Sequence, residues 1–248
     1  GPLKAHYIGM IKKKFESFHP AERGPKFAKA SGALQVLSYK TEIEAMLRTP
    51  SMDGFHLNGL IDYPGEGIAL IGMLDAMGDS MGLITPEHFR RFCSETVALA
   101  AIAEDELTGG SLFEADAMVR HHGPKDIDGS LWLWSISDRS GKVLFEGDLG
   151  SHRVATGGLT ELGTIEAKLP NVAEAQELTL MLRMADSEVM NEWSFWVFPA
   201  EVDVSVPEGV TLADGWNGQV RETLNNGGNV VLALDESCLM DPVPCRFW

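Results

Sequence analysis

The sequence predicts an α+β chain of several domains, and three observations carry that reading. Up to about residue 100, apolar side chains recur at helical spacing around one short apolar run. From about 104 to 199 they alternate, one in and one out, in short stretches separated by turn residues. Beyond Pro199 a strand–helix–strand pattern returns. The expected parts are an α/β segment over 1–103, an antiparallel β-sandwich over 104–199 and a short, partial α/β tail over 200–248.

Taken in order, Tyr7, Ile11, Phe15 and Phe18 make one helical stripe over 3–18, with Lys12, Lys13 and Lys14 on the solvated face. His19-Pro20 ends it. A second helix fits Lys26 to Arg48, with Phe27, Ala30, Leu34 and Leu37 on one side, continued by Ile43, Met46 and Leu47; Thr49-Pro50 stops it. The run Phe55 to Ile61, flanked by glycines, reads as a buried strand. Asp62 and Tyr63 stand at its end, then the loop Pro64-Gly65-Glu66-Gly67, then a second apolar segment from Ile68 to Met77 with Asp75 inside it. Thr85-Pro86-Glu87 starts a helix expected to reach about Ala100.

The period then changes to two. Phe113, Ala115, Ala117 and Val119 alternate, as do Trp132, Trp134 and Ile136, then Ile165, Ala167 and Leu169. The same holds for Leu178 through Met184 and for Trp193, Phe195 and Val197. Gly123-Pro124, Asp128-Gly129, Ser140-Gly141 and Gly157-Gly158 separate them. In the tail, Val202–Val206 reads as a strand, Asp214 as the cap of a helix through Leu224, and Asn229–Leu234 as a further strand.

Composition narrows the function. An apolar fraction of 44% with six Trp supports a substantial core. Twenty basic against 36 acidic side chains leave −16, which argues against nucleic acid or an anionic membrane surface as a partner. The charge is uneven: residues 1–50 carry +5 and the remainder −21. A basic end of this kind pairs with acidic surface in the same chain or on a neighbour. No apolar run reaches the length of a membrane span, and no signal peptide is present in these residues; a periplasmic or secreted location would need one upstream. Cys93, Cys238 and Cys245 lack zinc-site spacing, although Cys238 and Cys245 could bridge.

Several segments together resemble bacterial β-galactosidase-like proteins of glycoside hydrolase family 2. They are the run from Tyr39 to Pro50, Gly54–Gly82 with its Asp62-Tyr63-Pro64-Gly65, the helix Ile84 to Cys93, and Asn191 to Pro199 with its Trp193-Ser194-Phe195-Trp196. The resemblance implies that residues 1–100 form the last sector of a (β/α)8 barrel, with the Phe55–Ile61 run as its eighth strand, followed by an immunoglobulin-like sandwich. It also implies activity on β-linked sugars, with the family's acid/base and nucleophile glutamates falling before residue 1.

Within the chain itself, Asp62 and Glu66 are the candidate catalytic pair. Paired carboxyls about 5–5.5 Å apart serve retaining glycosidases and about 6.5–9.5 Å inverting ones, and four residues across a Pro-Gly turn fit either. His56, Asn58 and Tyr63 are the candidate sugar contacts. The same spacing fits a turn in which Asp62 only caps backbone amides. A non-catalytic carbohydrate-binding or scaffold module is the alternative. A third reading is a serine esterase: Gly78-Asp79-Ser80-Met81-Gly82 matches the G-x-S-x-G elbow, with Ser80 as nucleophile, although Pro86 delays the helix that the elbow needs. No cofactor and no metal are expected, since the seven histidines show no ligand spacing. An unpaired barrel-strand edge predicts a homo-oligomer or a complex with the missing barrel portion.

Overall fold

The computed structural model describes residues 6–52, 54–63 and 72–234. It is a mixed α+β chain with few helices and mostly antiparallel sheets, in two compact units, 1–200 and 201–248.

The first unit opens with α1 (His6–Phe18) and α2 (Gly24–Arg48), joined by a 3₁₀ turn at Ala21–Arg23. Pro20 ends α1, and Phe15 packs against His19 and Phe27 to close the corner. Pro25 sits in the first turn of α2, where its missing N–H costs nothing. The far end of α2 is tied to the sheet by Arg120, whose Nη2 donates to the carbonyls of Thr49 and Met52, both at 3.0 Å.

Residues 54–63 follow, and here the structure corrects the sequence. No strand forms over Phe55–Ile61 in the described residues; Ile61 makes a single parallel bridge to Leu74. Phe55, Leu60 and Ile61 are 37%, 43% and 47% exposed. A parallel strand is stabilised by neighbours on both edges, and the described residues supply only that one bridge, so no barrel sector is formed among them. Asp75 sits in a turn: its Oδ1 accepts the N–H groups of Met77 and Asp79.

The helix starting at Thr85 is real but short, α3 (Pro86–Phe92), with Thr85 accepting the His88 N–H. It stops well before Ala100. The next residues form β1 (Thr96–Ile102), the strand that the sequence reading assigned to helix. Ala-rich TVALAAI favours helix by propensity, but residues 96–102 pair in register with His121 to Ala115, and tertiary pairing overrides propensity.

Seven more strands follow among the described residues of this unit: β2 (Glu106–Thr108), β3 (Leu112–His121), β4 (Ile127–Asp138), β5 (Val143–Val154), β6 (Gly158–Lys168), β7 (Gln176–Met184) and β8 (Met190–Phe198). They form a three-stranded sheet, β1-β3-β6, and a five-stranded sheet, β2-β8-β7-β4-β5. All pairings are antiparallel except β2 with β8. The alternating residues named above meet between the sheets. Phe113, Ala115, Val119 and Ile165 come from one side, and Trp132, Ile136, Leu180 and Phe195 from the other, in one buried cluster. Phe113 and Phe195 stack across it with ring centres 4.3 Å apart.

The β5 strand had no place in the sequence reading because its glycines interrupt the alternation. Gly147 lies opposite Trp134, and a Cβ there would come within 2.9 Å of the indole, so the strand passes under the ring only without a side chain.

Asp126 pins the loop before β4: the Thr156 N–H and the Arg153 guanidinium hold its carboxyl below the usual carboxylate range. Because the folded pKa is depressed, this contribution is present above the unfolded value and disappears as pH falls through the folded one. Asp126→Asn should therefore melt slightly below the parent at neutral pH, with the gap closing as the pH is lowered through the carboxylate range. A gap constant from neutral to strongly acid pH would contradict this.

In the second unit Val202, Val204 and Val206 are exposed and form no strand, contrary to expectation. The strand lies further on, β9 (Val210–Ala213), paired in parallel with β10 (Asn229–Leu232). The helix between them, α4 (Gly218–Asn225), is capped by Asn217 rather than Asp214, the Asn217 Oδ1 accepting the Val220 N–H at 3.0 Å. Cys238 and Cys245 fall outside the described residues. No helix among the described residues is long and apolar enough to cross a membrane.

Candidate functional site

The residues singled out in the sequence occupy three different settings. Asp62 is buried, and its Oδ1 accepts the Gly72 N–H at 2.8 Å, while its own N–H donates to Leu74 O at 2.9 Å. Gly72 has no room for a side chain, since a Cβ would run into the backbone at Ile61, Asp62 and Leu74. Asp62 thus clamps two passing segments. Tyr63, next to it, is 62% exposed, and His56 and Asn58 are exposed on the same strandless stretch. Glu66 lies outside the described residues, so the separation of the Asp62–Glu66 pair does too.

Ser80 is exposed, and its Oγ accepts the Gly82 N–H at 3.1 Å. It bridges to Leu74 in a turn, and α3 begins only at Pro86, so the strand, sharp turn and immediate helix of a nucleophile elbow do not form around it. Among the described residues no histidine hydrogen-bonds to Ser80, and no group of three or more His, Cys, Asp or Glu could hold a metal ion.

A polar constellation that the sequence did not reveal sits elsewhere. Glu44 faces inward from α2 beside Ile43 and is only 3% exposed. Its Oε1 accepts from Lys40 Nζ at 2.5 Å and from Asn191 Nδ2 at 2.7 Å, and its Oε2 from Trp193 Nε1 at 2.7 Å. Arg48 Nη1 stands 3.9 Å away. Asn191, fully buried on β8, also donates to Ala98 O of β1. Lys40 lies over the Trp193 ring, 4.7 Å from its centre. Burial pushes the Lys40 pKa below that of a free lysine, and the Glu44 carboxylate opposes the shift.

This network forms one wall of a cleft of about 790 Å3 between α2, the residues 83–84, α3, β1 and β8. Close approach of α2 is allowed by Gly32, where a Cβ would meet Leu83. Glu192, between Asn191 and Trp193 on β8, also lines the cleft, its Oε1 2.7 Å from Arg91 Nη1 and 3.6 Å from His88 Nε2. The Arg91 nitrogen is buried and its N–H bonds miss the carboxylate direction, so the contact is an ion pair without a hydrogen bond. The volume falls within the usual range for small-molecule sites.

Lys40, Glu44 and Arg48 are spaced four apart, which places them on one helix face. That spacing, with an acid beside Ile43 on the apolar side, is the one sequence signal for the network. Nothing in the sequence joins it to Asn191 and Trp193 almost 150 residues later.

Comparison with known proteins adds a partial match. A family model described as a domain of unknown function, DUF8488, matches residues 111–199, the larger part of the strand-rich region. No curated protein matches. Among solved structures, the chain is similar to a Pseudomonas fluorescens alkylpurine DNA glycosylase bound to DNA containing an abasic site analogue, at 8% identity and TM-score 0.34, covering 42% of this chain and 30% of that one. It is similar to the Bacillus subtilis sporulation control protein Spo0M at 11% identity and TM-score 0.31, covering 44% and 51%. A Parabacteroides merdae β-glucuronidase matches at 17% identity and TM-score 0.29, covering 42% and 14%. This chain thus spans about half or less of each of these structures, and likenesses at these scores carry no argument about function.

Proposed function

We propose that this chain is part of a glycoside hydrolase of the β-galactosidase type, acting on β-linked sugars. The observation that carries the reading is the order of its parts: two helices and a strandless stretch lead into two packed antiparallel sheets. The strand order β2-β8-β7-β4-β5 facing β1-β3-β6, with β2 switched to pair in parallel with β8, fits an immunoglobulin-like sandwich. Ahead of it, α2, the strandless residues 54–63 and a buried Asp62 follow the order that the resemblance gives to the end of a (β/α)8 barrel.

The apolar surface before the sandwich supports a larger assembly. Ile11, Phe18, Phe27 and Leu34 of α1 and α2 are 62%, 75%, 52% and 63% exposed. A surface of that kind is normally covered, by a second copy or by further barrel. Light scattering at low micromolar concentration should give a particle larger than the 27.0 kDa chain; a clean monomer that binds no hydrophobic dye would remove this part of the proposal.

Activity is tested with nitrophenyl β-glycosides, and short-chain nitrophenyl esters serve as the control for Ser80. Asp62→Asn is the informative variant, because the asparagine carbonyl still accepts the Gly72 N–H and preserves the loop. Loss of glycoside turnover at an unchanged melting temperature would assign chemistry to Asp62. Asp62→Ala, by contrast, leaves the buried Gly72 amide unpaired and should cost about 1–3 kcal/mol. The non-catalytic carbohydrate-binding or scaffold reading is favoured by one observation, the engagement of Asp62 with backbone. Sugar binding without turnover of any glycoside would decide for it.

A further inference from the structure

We propose that the cleft between α2, α3 and β8 is a binding site for a neutral saccharide of one or two pyranose rings, with Trp196 as its stacking platform. The inference rests on the carbohydrate reading above for the ligand class, and it adds a site remote in sequence from Asp62.

Three features of the cleft select this chemistry. The first is aromatic. Trp196 lines the cleft and is 39% exposed, while its neighbours Phe195 and Val197 are fully buried. An indole left open in a concave wall suits the apolar face of a pyranose ring. The second is charge. Lys40 is paired with Glu44, and Arg91 and His88 face Glu192. Arg48 also faces Glu44, so an anionic ligand meets no unanswered cation here, and the Asp105 carboxylate in the lining disfavours it further, whereas hydroxyl groups, which both donate and accept, can join either partner of each pair.

The third is the edge of β8. Trp196 N donates to Asp105 O, so its backbone points away from β7 and towards β2. Residues two apart point the same way. β2 begins at Glu106, opposite Trp196, so the N–H and C=O of Ser194 lie past its end, where Ser194 lines the cleft. These groups have fixed direction and are available to ring hydroxyls. Glu44 is a positioning residue in this site: its bond to Trp193 Nε1 fixes the wall beside the platform.

The test is isothermal titration calorimetry of the full chain with methyl β-glucoside, methyl β-galactoside, cellobiose and lactose, and with glucuronate as the charged control. Binding of at least one neutral sugar in the millimolar range or tighter is expected, with glucuronate no better. Trp196→Ala should weaken that binding about tenfold or more, near 1.4 kcal/mol, and Trp196→Phe should recover part of it. Glu192→Gln should weaken it several-fold. Melting curves identify any variant that is not folded, and Glu192, 40% exposed at its side chain, supplies the second readout if Trp196→Ala unfolds.

Sugar binding unaffected by both Trp196→Ala and Glu192→Gln would overturn the cleft while leaving the carbohydrate reading intact. Binding of glucuronate alone would overturn the neutral ligand. Failure of every sugar to bind would overturn the site, and the nitrophenyl glycoside assay then judges the glycosidase reading separately.

Discussion

Glu44→Ala is expected to lower the stability of the first unit by about 3–5 kcal/mol, a loss comparable to the whole stability of a marginal domain. The residue is almost fully buried and holds three donors at once, Lys40 Nζ, Asn191 Nδ2 and Trp193 Nε1. Truncation removes their common acceptor. Asn191 keeps its bond to Ala98 O, but the Trp193 N–H and a largely buried ammonium both lose their hydrogen-bonded anion. Burial already pulls the Lys40 pKa down, and without Glu44 only the Glu192 carboxylate opposes that shift. Chemical denaturation measures the effect. The discriminating variant is the pair Lys40→Met with Glu44→Leu, which removes both charges together and should cost less than Glu44→Ala alone, because no isolated buried charge remains. Equal losses in the two would mean that packing of α2, rather than the ion pair, dominates.

How far this structure could be read in advance depended on whether the signal was local. The strands at Phe113–Val119, Trp132–Ile136 and Leu178–Leu182 were legible because a buried face and a solvated face alternate along each. β1 misled because four consecutive buried residues, Val97 to Ala100, carry no alternation, and alanine favours helix. β5 was hidden by Gly147 and Gly150, whose presence answers to Trp134 and to a positive φ of 80° and not to strand propensity. The run Phe55–Ile61 had the composition of a buried strand, and composition cannot report that, among the described residues, it makes only the Ile61–Leu74 bridge. Asp62 was legible as a polar group at the end of an apolar run; that its carboxylate accepts the Gly72 N–H ten residues later is a contact that spacing does not report. The Glu44 network was not legible, because its halves come from a helix and a strand at opposite ends of the unit.

Phe195→Ala is expected to cost about 3–5 kcal/mol and to loosen both sheets at once. The side chain has no exposure and stacks on Phe113, with ring centres 4.3 Å apart and planes 27° apart. Phe113 belongs to the three-stranded sheet and Phe195 to the five-stranded one, so this contact joins the two layers directly. Removing the ring leaves a hole whose walls are Phe113 and the aliphatic cluster, and a close-packed interior refills such a hole only in part. Trp196, the next residue, points to the opposite face, so Trp196→Ala removes an indole from the cleft and leaves the cluster intact; its cost should be the smaller of the two. Hydrogen exchange separates the cases. In Phe195→Ala, protection should fall together along β1, β3 and β6 and along β4, β7 and β8. Loss confined to β7 and β8 would show that the sheets open independently and that the stacked pair does not couple them.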